Sequence, residues 1–461
     1  MPVERVLENL AAQIESDPAN ADAYMNIGRA HSYVYQTSVS ELVVGGWGYR
    51  VSNDQEEIAI TVGNRRSQQR ARVDGLELTD KERHQHLKKS VIAFSRAIEL
   101  RDGFAIAHLG LADILRAGQD DAASIKALPT PAHPALVTEN RTDRENELHL
   151  ATNEHLAPVE YALSRIAPVD EEHLYGSVAR PSRHFIELVV FARSAADGER
   201  LVLIEHAAAR YWEHQVAEHY LKAFLLTYAT DAHRTHQPGL TGLGSLVAYE
   251  SGKGYLNAIA SYGEIKADKP RITLVEAGIE AFNDLDIVHA VTPIIFSLNK
   301  PASLESLLAP ETIVTFDLDG TGRDQAWPWV SPETAILVWD PEESGEITSG
   351  RQLFGSVSWW LFFDDGYRAL DALDDNRDGE LAGDELPGLA IWTDINSNGV
   401  SDPGEVVPIA KTGIEAISCR QTDTELGMPA NYSGLRMTDG RVLPTYDWVA
   451  ESVHVEEVSN R

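Results

Sequence analysis

The sequence has a single cysteine, Cys419, among its 461 residues. One cysteine cannot form an intramolecular disulfide, so the chain is not one of the small secreted scaffolds that disulfides hold together. Because it follows a predicted buried strand, we interpret Cys419 as a small core residue. The cysteine count fits a cytoplasmic protein, and it is equally compatible with a secreted protein that calcium stabilises.

Basic residues are also scarce. The chain has 39 Lys and Arg against 71 Asp and Glu, which gives a formal net charge of −32 and a pI near 4.8. Such a charge repels phosphate groups, so it excludes nucleic acid and anionic membrane surfaces as partners and favours divalent cations. The excess is concentrated between Glu311 and Glu405, where 21 acidic residues face 4 basic ones. We therefore expect this part of the fold to need counterions.

The sequence lacks an apolar run long enough to span a bilayer, and its first residues show no charged-then-apolar leader. These absences predict no membrane span and, by default, a cytoplasmic location. Secretion or surface display through a signal that is not cleaved is the alternative. The composition, with 43% apolar and 24% charged residues, is typical of a globular chain of two or three domains.

Two stretches have the pattern of a calcium-binding loop. Such a loop places oxygen ligands at positions 1, 3 and 5, a glycine at 6, a carbonyl at 7, often a ligand at 9, and a bidentate carboxylate at 12. In the first stretch the predicted ligands are Asp374, Asn376, Asp378, the carbonyl of Glu380, and Glu385. In the second they are Asp394, Asn396, Asn398, the carbonyl of Val400, Asp402 and Glu405.

The short spacer between Glu385 and Asp394 limits how these loops are used. It reads Leu-Pro-Gly-Leu-Ala-Ile-Trp-Thr, which is too short for the helices that two helix-loop-helix calcium hands require. Residues 389–393 predict a buried strand, residues 404–411 a helix, and residues 414–418 another strand. A pair of loops without flanking helices favours a structural role for calcium over a signalling one.

Weaker copies of the pattern precede these loops, at residues 317–324 and 340–352. The second has Glu342 and Ser344 at positions three and five, and it ends at Gln352 where a carboxylate is expected. Whether either copy binds metal stays open at this point.

The order of these motifs resembles a bacterial module of large calcium-binding proteins, often secreted or on the cell surface, whose loops are similar to those of dockerins. The resemblance covers about residues 311–420. It rests on Phe-Asp-Leu-Asp-Gly-Thr-Gly at 316–322, Trp-Val at 329–330, Leu-Phe-Gly at 353–355, and the segment 365–374 that leads into the first good loop. The resemblance implies calcium binding through EF-hand-like loops and no catalysis.

The N-terminal region shows helical spacing of a different kind. A proline follows Asp17, then come Tyr24 and an Ile-Gly pair at 27–28, and a second helical pattern includes Phe94 and Ala97. These features resemble tetratricopeptide repeats over about residues 5–118, interrupted by an insertion at about 36–80. Ordinary amphipathic helices are the alternative. Repeats of this kind imply a concave surface for a protein partner, whose identity cannot be read from the sequence.

The central region, residues 125–305, predicts mainly helices, and further divergent repeats are one interpretation of them. Residues 213–228 carry a broad apolar face, and residues 185–191 favour helix over strand. His206, His214 and His219 are potential metal ligands. However, His214 and His219 are five residues apart and no His-Glu-x-x-His motif is present. We interpret this histidine cluster as solvated helix edges.

Together these patterns predict a mostly α-helical protein with a C-terminal mixed α/β calcium module. The predicted domains are 1–124, 125–305 and 306–461. The predicted function is calcium binding joined to a helical protein-interaction scaffold, with no complete catalytic motif. A hydrolase in the central domain, with calcium stabilising its neighbour, is the alternative.

Overall fold

The computed structural model describes residues 3–37, 78–101, 103–119, 216–227, 242–262, 268–283 and 290–453. These residues belong to two compact units. The β-rich unit contains the described segments 3–37 and 290–453. The helical unit contains the described segments from 78 to 283, except residues 242–244. The β-rich unit therefore combines the first helices of the chain with its last strands, whereas the sequence predicted three consecutive domains.

The described helices of the helical unit are α3 (Asp80–Leu100), α4 (Ala105–Gln119), α5 (216–227), α6 (Gly242–Tyr262) and α7 (Lys269–Asn283). Helix α3 starts at a capping box in which Thr79 and Glu82 bond each other's backbone N–H groups. Helices α3 and α4 pack closely because Gly110 leaves room for the ring of Phe94, which a Cβ at that position would strike. Predicted helicity at 213–228 is confirmed for α5.

The described elements of the β-rich unit are α1 (Val3–Ser16), α2 (Ala21–Thr37), β1 (Ala290–Val291), β2 (Ile294–Phe296), α8 (Leu304–Leu307), β3 (Leu308–Phe316), β4 (Gln325–Val330), β5 (Ala335–Trp339), α9 (Gly366–Asp371), β6 (Glu380–Ala382), β7 (Leu389–Trp392), β8 (Val406–Pro408), β9 (Ile414–Ser418), β10 (Asp423–Glu425), β11 (Met428–Met437), β12 (Val442–Asp447) and β13 (Ala450–Glu451). None of the described helices in either unit is long and apolar enough to cross a bilayer.

A nine-stranded antiparallel sheet organises the β-rich unit. Its strand order is β6-β9-β11-β12-β2-β5-β7-β8, with β10 paired to β11. Strands β3 and β4 form a separate two-stranded ribbon, and β1 pairs with β13. Every residue of β5 and β7 is buried, which explains why both strands read as continuous apolar runs.

An aromatic cluster joins the ribbon to the sheet. Trp329 of β4 contacts Trp392 of β7 edge to face at 5.7 Å between ring centroids, and both lie near Phe316 of β3. Trp448 completes the cluster, 6.3 Å from Trp329. Each of these side chains is buried, and burial of such large rings supplies much of the stabilisation in a core.

The structure confirms a mixed layout, with helices in the N-terminal region and a β-rich C-terminal part. The tetratricopeptide interpretation is wrong, because successive repeats share one core whereas the hairpins α1–α2 and α3–α4 belong to different compact units. Most of the predicted insertion at 36–80, and the helix predicted at 185–191, lie outside the described residues.

Two predicted strands of the C-terminal part are confirmed as β7 and β9, and Cys419 is buried beside β9 as predicted. The helix predicted over 404–411 is wrong. The structure has β8 there, followed by a single 3₁₀ turn at Ile409–Lys411. The β-branched pair before Pro408 favours a strand, and β8 lies at the end of the sheet order, where a proline is tolerated.

A buried carboxyl ends the central strand β12. Asp447 pairs in register with Ile294 of β2 and is fully buried. Among the described residues, neither of its carboxyl oxygens has a hydrogen-bond partner of ordinary geometry. Burial, and then the charge of Asp365, raise the pKa of Asp447 well above its usual value.

We expect the Asp447→Asn variant to gain stability relative to the unaltered protein as pH rises. The folded protein holds this proton to higher pH than the unfolded chain does, so the carboxyl lowers the free energy of unfolding once pH exceeds the pKa of the unfolded group. The loss amounts to about 1.4 kcal/mol for each pH unit between the two pKa values. Urea unfolding in EDTA between about pH 5 and pH 8 measures the difference between the two proteins.

The matched control is Asp439→Asn, at an exposed carboxyl whose pKa is lowered by hydrogen bonds from the Arg441 backbone and side chain. This variant is not expected to gain stability with rising pH. A constant difference between the Asp447→Asn variant and the unaltered protein across this pH range would contradict the prediction.

Candidate calcium site

Four turns of the β-rich unit each contain the same kind of hydrogen bond. We name them loop A (317–324), loop B (340–352), loop C (374–385) and loop D (394–405). In each, the carboxylate of the first aspartate accepts a hydrogen bond from the backbone N–H of the glycine five residues later, at 2.8 Å. The pairs are Asp317 with Gly322, Asp340 with Gly345, Asp374 with Gly379, and Asp394 with Gly399.

Loop C is held by both of its terminal carboxylates. Asp374 also accepts from the N–H of Arg377 at 2.6 Å. One oxygen of Glu385 accepts from the N–H groups of Asp375 at 2.8 Å and Asn376 at 3.1 Å, and the other accepts from that of Ala382 at 3.1 Å. The closing glutamate is therefore fixed against the start of its own loop.

Loop D repeats this framework. Asp394 accepts from the N–H of Asn398 at 3.1 Å, besides that of Gly399. The two oxygens of Glu405 accept from Ile395 at 2.9 Å and from Asp402 at 3.1 Å. Ile395 and Asp402 are at loop positions two and nine, the same positions from which Asp375 and Ala382 donate to Glu385 in loop C.

The middle positions of the two loops also correspond. In loop C the side-chain oxygens of Asn376 and Asp378 each accept from the N–H two residues later, at 2.8 and 2.9 Å. In loop D those of Asn396 and Asn398 do the same, at 3.1 and 2.7 Å. Loops C and D thus both have side-chain to backbone bonds at positions 1, 3, 5 and 12. They differ at position 1, which bonds the N–H of position four in loop C and that of position five in loop D.

In both loops, the backbone conformation and the lack of space for a Cβ explain the glycine at position six. Gly379 and Gly399 have φ of 89° and 71°, in the left-handed region that side chains disfavour. A Cβ at Gly379 would strike the guanidinium of Arg420, and one at Gly399 would lie 2.9 Å from Cβ of Val314.

The predicted ligands fall into a buried set and a rim. Asp374, Glu385, Asp394 and Glu405 have relative exposures of 3%, 5%, 0% and 6%. The rim residues are Asn376, Asp378, Asn396, Asn398 and Val400, which are exposed, and Glu380 and Asp402, which are partly exposed. Burial is the main cause that raises the pKa of Asp374, and Glu385 and Asp378 add to it.

Direct contact between predicted ligand side chains differs between the loops. In loop D, one oxygen of Asp402 accepts from the amides of Asn396 at 2.8 Å and Asn398 at 3.0 Å. In loop C, position nine is Ala382, which has no side-chain oxygen. Among the described residues, no three Asp, Glu, His or Cys side chains are grouped as a ready metal site, and the terminal carboxylates of both loops instead accept backbone N–H groups.

A tryptophan outside the four loops forms a hydrogen bond with loop D. The indole N–H of Trp329 donates to the fully buried carboxylate of Asp394 at 2.7 Å. Sequence reasoning missed this residue as part of the site, although the Trp-Val pair was noted. No local signal could have paired it with Asp394, which lies 65 residues later.

Loop B has the turn without the closing charge. Asp340 accepts from the N–H of Ser344 at 2.9 Å, and Ser344 accepts from that of Glu346 at 3.2 Å. At the end of the loop, the neutral amide of Gln352 accepts from the N–H of Thr348 at 2.9 Å, in the manner of Glu385 and Ala382 in loop C.

Loop A has a protein cation beside it. Nε of Arg351 donates to the carbonyl of Gly320 at 2.6 Å, and its guanidinium lies 4.0 Å from the ring centre of Trp360. Burial and then the charge of Asp319 raise the pKa of Asp317 to about 7, while Arg351 opposes this shift. Arg351 thus offsets part of the negative charge of loop A.

The histidine cluster of the central region is only partly described, since His206 and His214 lie outside the described residues. His219 is not a solvated helix edge, which corrects the sequence interpretation. Its Nδ1 lies 2.9 Å from Nδ1 of His108, and the two rings stack at 5.2 Å between centroids. Its neighbour Glu218 forms an ion pair with Arg271 at 2.8 Å. The hydrolase alternative stays a prediction.

Comparison with known proteins places loops A to D in one family match. Residues 298–447 match the family described as the SPM domain. A curated relative is the iron-regulated protein FrpA of Neisseria meningitidis serogroup C, which is 32% identical over 113 residues. The aligned part is 23% of this chain and 10% of the relative, so the chain spans about a tenth of that protein's length.

This match corrects both resemblances drawn from the sequence. It is to neither a tetratricopeptide family nor an EF-hand or dockerin family, and the matched region is mostly β-sheet. The C-terminal part is therefore similar to an SPM domain and is not an EF-hand-like or dockerin-like module.

We expect the Trp329→Phe variant to lose more stability than the Trp392→Phe variant. Both indoles are fully buried in the same cluster, but among the described residues Nε1 of Trp392 has no hydrogen-bond partner, whereas that of Trp329 serves the Asp394 carboxylate. A hydrogen bond to a charged group contributes about 1.5–3 kcal/mol, so we expect a difference of that order. Urea unfolding in EDTA measures it, and equal losses would contradict this role of Trp329.

Proposed function

We propose that the β-rich unit binds two calcium ions, one in loop C and one in loop D. The observation that carries the proposal is the shared framework of the two loops, in which buried carboxylates at positions 1 and 12 and exposed side-chain oxygens at positions 3 and 5 all accept backbone N–H groups. Calcium takes six to eight oxygen ligands with flexible geometry, which is what carboxylate, amide and carbonyl oxygens in such a loop supply.

Charge supports the same proposal. Each loop buries two carboxylates at its ends, and buried anions are costly unless a cation or several hydrogen bonds compensate them. Backbone N–H groups supply part of this compensation. A divalent cation is the remaining counterion for a stretch in which acidic residues far outnumber basic ones.

The position of the loops in the sheet favours a structural role for the ions. Loop C contains β6, which is at one end of the sheet order, and loop D leads into β8, at the other end. Thr393 and Glu405 are joined by a backbone hydrogen bond of 3.0 Å, so loop D closes the β7–β8 hairpin. An ion in loop D would fasten the outer strand β8 to β7, and an ion in loop C would hold the start of β6 through the carbonyl of Glu380.

The two sites differ in their ligands. Loop D offers Asp402 at position nine, whereas a water must complete the shell of loop C beside Ala382. Loop C carries more carboxylates and Arg377 as its single basic residue. Loops A and B are not included in the proposal, because loop A has the guanidinium of Arg351 beside it and loop B ends at the neutral Gln352 where a carboxylate is expected.

Calcium titration of the metal-stripped chain by calorimetry is expected to show two binding events. The Glu385→Gln variant should lose one and the Glu405→Gln variant the other, because the neutral amide cannot act as a bidentate anionic ligand. At calcium concentrations about 100 times Kd, each intact site should add about 2.7 kcal/mol to the free energy of unfolding.

The matched control is Glu346→Gln, an exposed residue of loop B that should leave both events unchanged. Absence of any saturable binding at millimolar calcium in the unaltered chain would refute the proposal. Two events that survive in the Glu385→Gln, Glu405→Gln double variant would place the ions elsewhere.

A further inference from the structure

Helix α1 presents a polar stripe to the segment that opens loop C. Arg5, Asn9 and Gln13 are each four residues apart and therefore lie on one face of the helix. That face contacts residues 371–375, more than 350 positions later in the chain.

The contacts are specific and partly buried. Nε of Arg5 donates to the Asp375 carboxylate at 2.9 Å, and its Nη2 donates to the carbonyl of Leu373 at 2.8 Å. Asn9, only 7% exposed, donates from Nδ2 to Asp375 at 2.8 Å and to the carbonyl of Ala372 at 3.1 Å.

The rest of the helix continues the same interface. Nε2 of Gln13 donates to the carboxylate of Asp371 at 2.6 Å. In the opposite direction, the Arg377 side chain of loop C donates to the carbonyl of Ala12 at 3.4 Å. Helix α1 is therefore bonded to the approach to loop C and to the loop itself.

The loop atoms that α1 contacts are not the predicted ligand atoms, since at position twelve Nη2 of Arg5 donates to the main-chain carbonyl of Glu385 at 3.5 Å and not to its carboxylate. Asp375 and Arg377 occupy positions two and four, so α1 and an ion do not compete for the same oxygens. Yet the N–H of Asp375 donates to Glu385, and that of Arg377 donates to Asp374. Through these two residues, α1 holds the backbone that orients both terminal carboxylates.

Helix α2 anchors the hairpin at a second point. Nε of the buried Arg29 donates to the carbonyl of Trp360 at 3.0 Å, and its guanidinium lies 4.1 Å from the ring centre of Phe362. Loop D is held differently, by Trp329 and by the bond between Ser401 and the N–H of Ile347 at 2.8 Å. Loop D therefore serves as an internal comparison for loop C.

We propose that α1 is a positioning element for loop C, whose docking raises the calcium affinity of that loop and is in turn strengthened by the ion. This inference rests on the proposed calcium function. Because linkage is reciprocal, the factor by which docking changes calcium affinity equals the factor by which calcium changes docking.

The test compares calcium affinity with and without the polar stripe, in full-length chains that keep one active loop. The Asn9→Ala, Gln13→Ala double change is made in a Glu405→Gln background, where loop C alone binds, and in a Glu385→Gln background, where loop D alone binds. Both changes on α1 leave the net charge of the chain unchanged. Arg5 is kept, since loss of its positive charge would by itself favour a cation and obscure the result.

We expect the double change to weaken calcium binding by loop C about 5- to 30-fold, within the usual range of coupling between sites, and to leave loop D unchanged. Ser16→Ala should change neither loop, because this exposed position of the same helix has a hydroxyl that, among the described residues, bonds only the carbonyl of Gln13. Gln13→Ala alone should weaken loop C less, and it serves if the double variant does not fold.

Hydrogen exchange of the α1 amides supplies the reciprocal measurement. Calcium should slow exchange in α1, and this effect should disappear with Glu385→Gln but persist with Glu405→Gln. Unchanged or tighter binding by loop C in a folded double variant would overturn the inference and leave the proposed function standing.

The absence of calcium binding in the unaltered chain would refute the proposed function and this coupling together. Exchange in EDTA then tells whether docking itself is real. Faster α1 exchange in the double variant would keep the polar interface as a structural contact alone, and unchanged exchange would exclude that as well.

Discussion

The β-rich unit depends on aspartates that are buried at the start of tight turns. In each of loops A to D, one carboxylate accepts the N–H of a glycine five residues later. A buried anion of this kind selects the turn, because the chain must curl around it to bring N–H groups within reach. The four loops then differ in how the remaining negative charge is compensated.

That difference separates the loops into two classes. Loop A has the guanidinium of Arg351 beside it, and loop B closes on the neutral Gln352. Loops C and D keep a closing glutamate and have backbone donors as partners for their terminal carboxylates. Similar backbone geometry is thus compatible with internal neutralisation or, as proposed for loops C and D, with an external cation, according to one or two side chains.

Sequence reasoning succeeded where the chemistry is local. The twelve residues of each of loops C and D are contiguous, so spacing alone identified Asp374, Glu385, Asp394 and Glu405 as structurally equivalent positions. Strands β7 and β9 were recognised for a similar reason, because short apolar runs bounded by turn residues read clearly. The metal itself stays a prediction.

The failures have non-local causes. Small and large residues at helical spacing occur in any packed helical hairpin, so the pattern around Tyr24 and Phe94 did not distinguish repeats from two separate hairpins. Residues 406–408 form strand β8 because β7 offers a pairing edge, and the helix predicted over 404–411 took no account of that edge. The polar stripe of α1 was visible as a spacing of four, but nothing near it in sequence shows what it contacts.

The contacts of α1 also bear on how the protein is made. During synthesis α1 is complete long before residues 371–377 exist, so the contacts of its polar stripe must wait for most of the chain to be translated. Contacts between such distant residues form late, because a long loop must close before they are rewarded. A chain that stops before loop C therefore leaves the polar stripe of α1 without its partners.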